Sequence, residues 1–223
     1  MTDLIDTTEM YLKTVYELEE DGIPPLRARI VDRLEHKGPT VSQTVSRMER
    51  DGLLEVGPDR SLRLTPQGRR RATDVIRKHR LAERLLLDVV GLDRHLVHDE
   101  ACRWEHVMSE QVESRLVEML DGPSTDPFGN AIPEHDAGRP SVSTDEAPAA
   151  DLVGRDPLSV TVVRIGERIQ ADSEMLGWLV DAGVLPGARI SLRRSGSGVL
   201  VDGESGDLVT VPDELARHLF VRA

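Results

Sequence analysis

The 223-residue sequence predicts a mainly α protein with small β parts: an N-terminal winged helix-turn-helix, a helical middle region and a small C-terminal barrel of SH3-like layout. Three observations carry this. Residues 26–64 read as short helix, Gly-containing turn, second helix and β-hairpin. Apolar residues at helical spacing dominate 65–120, and five short, mostly alternating strand patterns crowd into 157–223.

Residues 4–20 form the first expected helix, with Tyr11, Leu12, Val15 and Leu18 as its apolar stripe and Asp3, Asp6 and Glu9 suited to its first turn. Met10 borders that stripe. Gly22 and Pro24-Pro25 end the helix, and Leu26 to Leu34 forms a short second one. In HKGPTVSQTVSRMERDGLL, Pro39 opens a third helix and Gly52 lies just past its end. Val41, Val45 and Met48 make its apolar back; Thr40, Gln43, Ser46, Arg47 and Arg50 face the other way. Leu53–Val56 and Ser61–Leu64 alternate around GPD as a wing with Arg60 at its tip.

Thr65-Pro66 opens a long helix to about Val90, stopped by Gly91. Its buried stripe is Ala72, Val75, Ile76, Ala82 and Leu86, and His79 and Glu83 fall on that stripe four residues apart. Asp93 and Ser109 can cap two further helices, the second running to about Leu120. DGPSTDPFGNAIP is loop, and from Glu134 to Asp156 the composition shifts to Ser, Pro, Asp, Ala and Gly. LSVTVVRI, RISLRR, GVLVD, DLVTV and HLFVR are the expected strands, and DSEMLGWLVDAG a helix among them. The expected division is residues 1–72, 73–140, a flexible linker 141–156, and the barrel 157–223.

No apolar run approaches the roughly 18 residues that span a bilayer. MTDLIDTTEM has no basic n-region, and one cysteine excludes an internal disulfide, so a reducing cytoplasm is expected. The net charge of −12 argues against indiscriminate nucleic-acid binding. Yet residues 26–80 hold 14 of the 28 Lys+Arg against 7 of the 40 Asp+Glu, a local net of +7. A basic segment in an acidic chain fits a confined DNA-binding surface, although a solvated charged face reads the same way.

The stretch HDEACRWEH, His98 to His106, concentrates metal-ligand chemistry. On a helix, His98, Cys102, Glu105 and His106 share one face beside the apolar stripe of Val97, Ala101, Trp104 and Met108. Imidazole, thiolate and carboxylate are the common transition-metal ligands. A surface helix face with one buried structural cysteine is the alternative. His79 and Glu83, ionisable on an apolar face, favour the metal. Glu167 and Gln170, spaced i, i+3, could offer oxygen ligands or be plain surface residues.

These strings resemble the diphtheria toxin repressor family of iron-dependent regulators. The resemblance rests on DTTEMYL at 6–12, GPTVSQTVSRMERDGL at 38–53, RKHRLAERLL at 77–86, VHDEACRWEHVMS at 97–109 and DPFGNAIP at 126–133. It covers nearly the whole chain, though the C-terminal unit matches more by layout than by string. It implies a winged-helix DNA-binding domain, a helical metal-binding and dimerisation domain and an SH3-like domain. It also implies two Fe(II) per subunit, with Co(II), Ni(II), Zn(II) or Mn(II) as substitutes in vitro. The primary site would use Met10, Cys102, Glu105 and His106; the ancillary site His79, Glu83 and His98, with Glu167 and Gln170 from the third domain.

The resemblance further implies a homodimer through the segment around 90–140, two dimers on a palindromic operator, no membrane partner and repression of iron-uptake and siderophore genes. Gln43, Pro39 and Thr40 are expected in the major groove, with Arg27, Ser42, Arg47, Arg50 and Arg60 on phosphates and Lys37 adding an electrostatic contact. Lys37 stands where close relatives carry serine. Asp126 stands where some carry serine in an anion-binding spot with Arg80 and Asn130, which disfavours an anion there. A manganese-responsive regulator of the same family is the nearest alternative. Against a metallohydrolase, the alternative from another class, the sequence has no HExxH motif and no evident base beside an open metal position. A structural metal protein that leaves DNA alone would not need the local +7 segment. No enzyme activity is expected.

Overall fold

The computed structural model describes residues 6–135, 137–140, 143–196, 198–203 and 205–223. Two compact units emerge, the first drawn from the described residues of Met1–Ala82, Cys102–Gly122 and Ile132–Val142. The second comprises Glu83–Ala101, Pro123–Ala131 and the described part of Ser143–Ala223.

In the first unit, α1 (Thr7–Glu20) begins at Asp6, whose carboxylate accepts from the Thr8 and Glu9 amides and so satisfies two orphan helix donors. The part of the expected helix before Asp6 lies outside the described residues. α2 (Arg27–Leu34) and α3 (Gly38–Arg50) follow. Glu35 takes a left-handed conformation (φ 53°) in the turn between them. Strands β1 (Leu54–Val56) and β2 (Leu62–Leu64) pair antiparallel as the wing. Tyr11, Leu12, Val15 and Tyr16 of α1 share one apolar core with Ile30, Val41, Val45, Met48, Leu54, Leu62, Ala72 and Ile76. The first helix is therefore structurally part of the winged helix.

α4 (Pro66–Leu85) ends in a π-helical turn, Leu86–Val90, rather than running as regular α-helix to Val90. Gly91 closes it at φ 76°, as a C-terminal glycine in the left-handed region does. A 3₁₀ turn, Arg94–Leu96, leads into α5 (Val97–Trp104), and Asp93 precedes it without the expected side-chain cap. α6 (Glu110–Met119) carries its expected cap, with Ser109 Oγ accepting from the Val112 amide.

Within the second unit the strands form one six-stranded antiparallel sheet, ordered β3-β8-β4-β5-β6-β7. β4 (Leu158–Ile165), β5 (Arg189–Ser195), β6 (Gly198–Asp202), β7 (Leu208–Pro212) and β8 (Leu219–Arg222) are the five expected strands. A sixth, β3 (Ala147–Pro148), pairs with β8, and α7 (Ala149–Leu152) follows it. Both lie in the stretch that composition reads as linker; two residues carry no periodicity to read. Three short helices complete the unit: α8 (Glu167–Gln170), α9 (Ser173–Asp181) and α10 (Asp213–Ala216).

Gly68 lets α4 approach the wing. A Cβ there would lie 1.8 Å from the Leu53 carbonyl oxygen, which is backbone and cannot swing aside. Thr65 reinforces the junction: its amide donates to Leu53 O and its hydroxyl to Gly52 O. In an open helix Gly→Ala stabilises by about 1 kcal/mol, whereas overpacking costs roughly 1–3 kcal/mol. Gly68→Ala is expected to lower the thermal unfolding midpoint; a raised midpoint would show that the contact yields.

Candidate metal centre and nucleic-acid interface

In the first unit, α1 meets the C-terminal end of α5. α5 stops at Trp104, so Glu105 and His106 lie in the turn after it rather than on the regular helical face expected. The Trp104 carbonyl accepts from both Val107 and Met108 amides, a shared bond that closes the helix yet keeps the chain wound. Cys102, Glu105 and His106 therefore stay clustered. Glu105 Oε2 lies 2.6 Å from His79 Nδ1 and 2.8 Å from Lys13 Nζ. Cys102 Sγ lies 4.0 Å from each of the same two atoms. His106 Nε2 faces Glu105 Oε1 at 3.3 Å, while its Nδ1 lies 2.8 Å from Glu9 Oε2. Met10 is half-buried on α1 between Glu9 and Lys13, the two α1 residues that reach the cluster.

Burial pushes the Glu105 carboxyl up, but the Lys13 charge, then the His79 charge and hydrogen bonds from both, outweigh it and hold the pKa at about 2. Glu105 is thus an anion in a buried setting, sustained by surrounding cationic character. The cluster fits a divalent ion on its own chemistry: carboxylate, imidazole and thiolate converge on a point that already accommodates a positive charge. Glu9 at Nδ1 leaves His106 Nε2 as the ring atom directed at Glu105, the carboxylate–histidine arrangement that orients metal ligands.

Of the expected ancillary ligands, Glu83, His98, Glu167 and Gln170 lie in the second unit and His79 in the first. His98 Nδ1 is 3.3 Å from Glu83 Oε1, and both residues are buried. Glu167 and Gln170 are buried on α8, not surface residues, and Gln170 Nε2 donates to the Ile165 carbonyl at 2.7 Å. His79 and Glu83 sit one turn apart on α4. His79 reaches Lys13, Cys102 and Glu105, the residues of the first cluster.

On α3, Val41, Val45 and Met48 are fully buried, and Pro39, Thr40, Ser42, Gln43, Arg47 and Arg50 are exposed, as is Lys37 just before the helix. Arg60 is exposed at the wing tip in a left-handed conformation (φ 64°), and Arg27 is half-buried at the start of α2. Arg47 also donates to Thr8 Oγ1 at 3.4 Å, joining the exposed face of α3 to the first turn of α1. Asp126 is committed within its own loop: Oδ1 accepts from the Phe128 and Asn130 amides, and Oδ2 from Asn130 Nδ2. Arg80 pairs bidentately with Glu20, at 2.9 and 2.5 Å.

Glu9 and Lys13 belong to the site and were not among the expected residues. Their one signal in the sequence is position: Glu9 precedes Met10, and Lys13 follows it by three residues, so the two flank it on α1.

Residues 3–62 match the family model described as iron dependent repressor, N-terminal DNA binding domain. Residues 65–134 match that described as iron dependent repressor, metal binding and dimerisation domain. The chain is 54% identical over 227 residues to the diphtheria toxin repressor of Corynebacterium efficiens, covering 99% of this chain and 97% of that one. It is 53% identical over 231 residues to the iron-dependent repressor IdeR of Mycobacterium tuberculosis, covering 99% of each. Among solved structures, T. acidophilum IdeR superposes with a TM-score of 0.76 at 26% identity, over 98% of both chains. A manganese-dependent transcriptional repressor complex with manganese does so with a TM-score of 0.79 at 27% identity, over 97% of this chain and 100% of that one. Matches to both domain models and identity along the full chain establish that this protein belongs to the iron-dependent repressor family, whose members are DNA-binding regulators rather than enzymes.

Proposed function

We propose that this chain is a cytoplasmic, Fe(II)-activated transcriptional repressor of iron-uptake and siderophore genes, binding a palindromic operator as dimers, two per operator. One observation carries the reading: in the unit that contains the helix-turn-helix, α1 meets a buried cluster of carboxylate, imidazole and thiolate. Met10, Cys102, Glu105 and His106 are the proposed primary ligands, and His79, Glu83, His98, Glu167 and Gln170 the proposed ancillary set. Gln43, Pro39 and Thr40 are assigned to the major groove, and Arg27, Lys37, Ser42, Arg47, Arg50 and Arg60 to the backbone. In the first unit, exposed Val112 and Met119, two turns apart on α6, support a homodimer by offering apolar side chains to a second subunit. No helix among the described residues is long and apolar enough to cross a membrane.

A bound divalent ion would supply a bond network joining α1 to the end of α5. The protein's own groups arrange the rest. Glu9 holds His106 with Nε2 directed inward, and Glu105 enters as a carboxylate. Tyr11, on the turn that follows Met10, packs in the winged-helix core and hydrogen-bonds His36 Nδ1 at 3.0 Å, in the turn before α3. Any change in the position of α1 therefore reaches the recognition helix through packed atoms. A two-fold operator presents half-sites about one helical turn apart, so the placement of α3 decides binding.

The direct test is selection of DNA sequences by the purified full-length protein under anaerobic conditions, with and without Fe(II). Enrichment of a palindromic sequence only with Fe(II) is expected; equal enrichment under chelator would overturn metal activation. Metal choice follows from ligand softness. A Met thioether and Cys thiolate suit Fe(II) better than Mn(II), which prefers oxygen donors. Replacing both Met10 and Cys102 with acidic residues is expected to move DNA-binding activation towards Mn(II). Equal response of the wild type to Fe(II) and Mn(II) at equal free concentration would contradict the ligand argument.

A further inference from the structure

Lys13 stands at the centre of the donor cluster. Its side chain is only 8% exposed, and its Nζ lies 2.8 Å from Glu105 Oε2, 3.1 Å from His79 Nδ1 and 4.0 Å from Cys102 Sγ. Of these, Glu105 Oε2 and Cys102 Sγ are donors that a divalent ion at the proposed primary site would also use. An ammonium and a divalent cation cannot both sit at bonding distance from one carboxylate oxygen in a buried setting, because their repulsion is weakly screened there. We propose that Lys13 is an internal competitor for the metal: its ammonium and the divalent ion take the same donor atoms in turn, and Lys13 thereby sets the metal concentration at which the centre fills.

The surroundings of Lys13 suit such an exchange. Glu17 lies one turn further along α1, with Oε1 3.9 Å from Lys13 Nζ. A displaced ammonium therefore has a second carboxylate within reach, which avoids leaving a buried charge unpaired. Lysine suits this better than arginine, being a compact charge on a flexible stem with rotatable donors. The Glu9–His106 contact does not involve Lys13, so α1 stays attached to the α5 end while the cations exchange.

This inference rests on the metal-activated reading, and its test separates the two. Full-length wild type, Lys13→Gln and Lys13→Arg are titrated anaerobically with Co(II), following the thiolate-to-cobalt charge-transfer band that reports Cys102. Lys13→Gln is expected to bind Co(II) at least tenfold more tightly, with the band position unchanged, and Lys13→Arg no more tightly than wild type. Glu17→Gln is expected to weaken Co(II) binding, and to have no effect in the Lys13→Gln background. The double variant isolates the coupling, and Glu17→Gln alone still tests the proposal if Lys13→Gln misfolds. Wild-type or weaker affinity in Lys13→Gln, or an unaltered affinity in Glu17→Gln, would overturn the competitor role. A wild type that develops no charge-transfer band would instead overturn the primary-site assignment on which it rests.

Discussion

The ionised, buried carboxylate of Glu105 is the constraint around which the first unit is arranged. An anion at that depth must be matched by positive charge. Lys13 supplies that charge from α1, and His79 adds a hydrogen-bond partner from α4. The carboxylate thus draws three segments to one point: α1, α4 and the turn that ends α5. The neighbouring His106 adds a second link to α1 through Glu9. A cation-hungry point of this kind is what a metal-responsive protein needs, since the same electrostatics that retain an ammonium can recruit a metal.

Those links matter because α1 is not a detached arm. Four of its residues belong to the winged-helix core, and Tyr11 touches the turn of the helix-turn-helix directly. Close-packed cores transmit displacement rather than absorb it. The side chains already connect α1 to the α5 end, so a metal held among them would exchange one set of ties for another rather than create a tie. An exchange can shift the placement of α3 only through the difference in free energy between the two sets.

Much of this was readable from residues alone. The apolar backs of α1 and α3, the Gly91 stop, the Ser109 cap and the five longer strands all have periodic or local chemical signals, and each appears in the structure. The end of α5 at Trp104 was not readable, because no glycine or proline follows to mark it and only the shared Trp104 carbonyl closes the helix. Spacing drew attention to His98, Cys102, Glu105 and His106, but a division between two metals came only with the family resemblance. Lys13 was invisible for a simpler reason. Its partner Glu105 is 92 residues away, and a lysine beside an apolar stripe usually extends its stem over the core and its charge into water.

The central claim is that the metal and the operator act on one equilibrium, coupled through α1. Linkage makes this symmetric: the factor by which metal tightens DNA binding must equal the factor by which DNA tightens metal binding. The most direct measurement is the metal affinity of the full-length protein with and without operator DNA, using anaerobic Fe(II) or Co(II) titrations. The account predicts tighter metal binding with operator present, by about 5- to 150-fold for a coupling of typical size. Identical metal affinity with and without operator would contradict it.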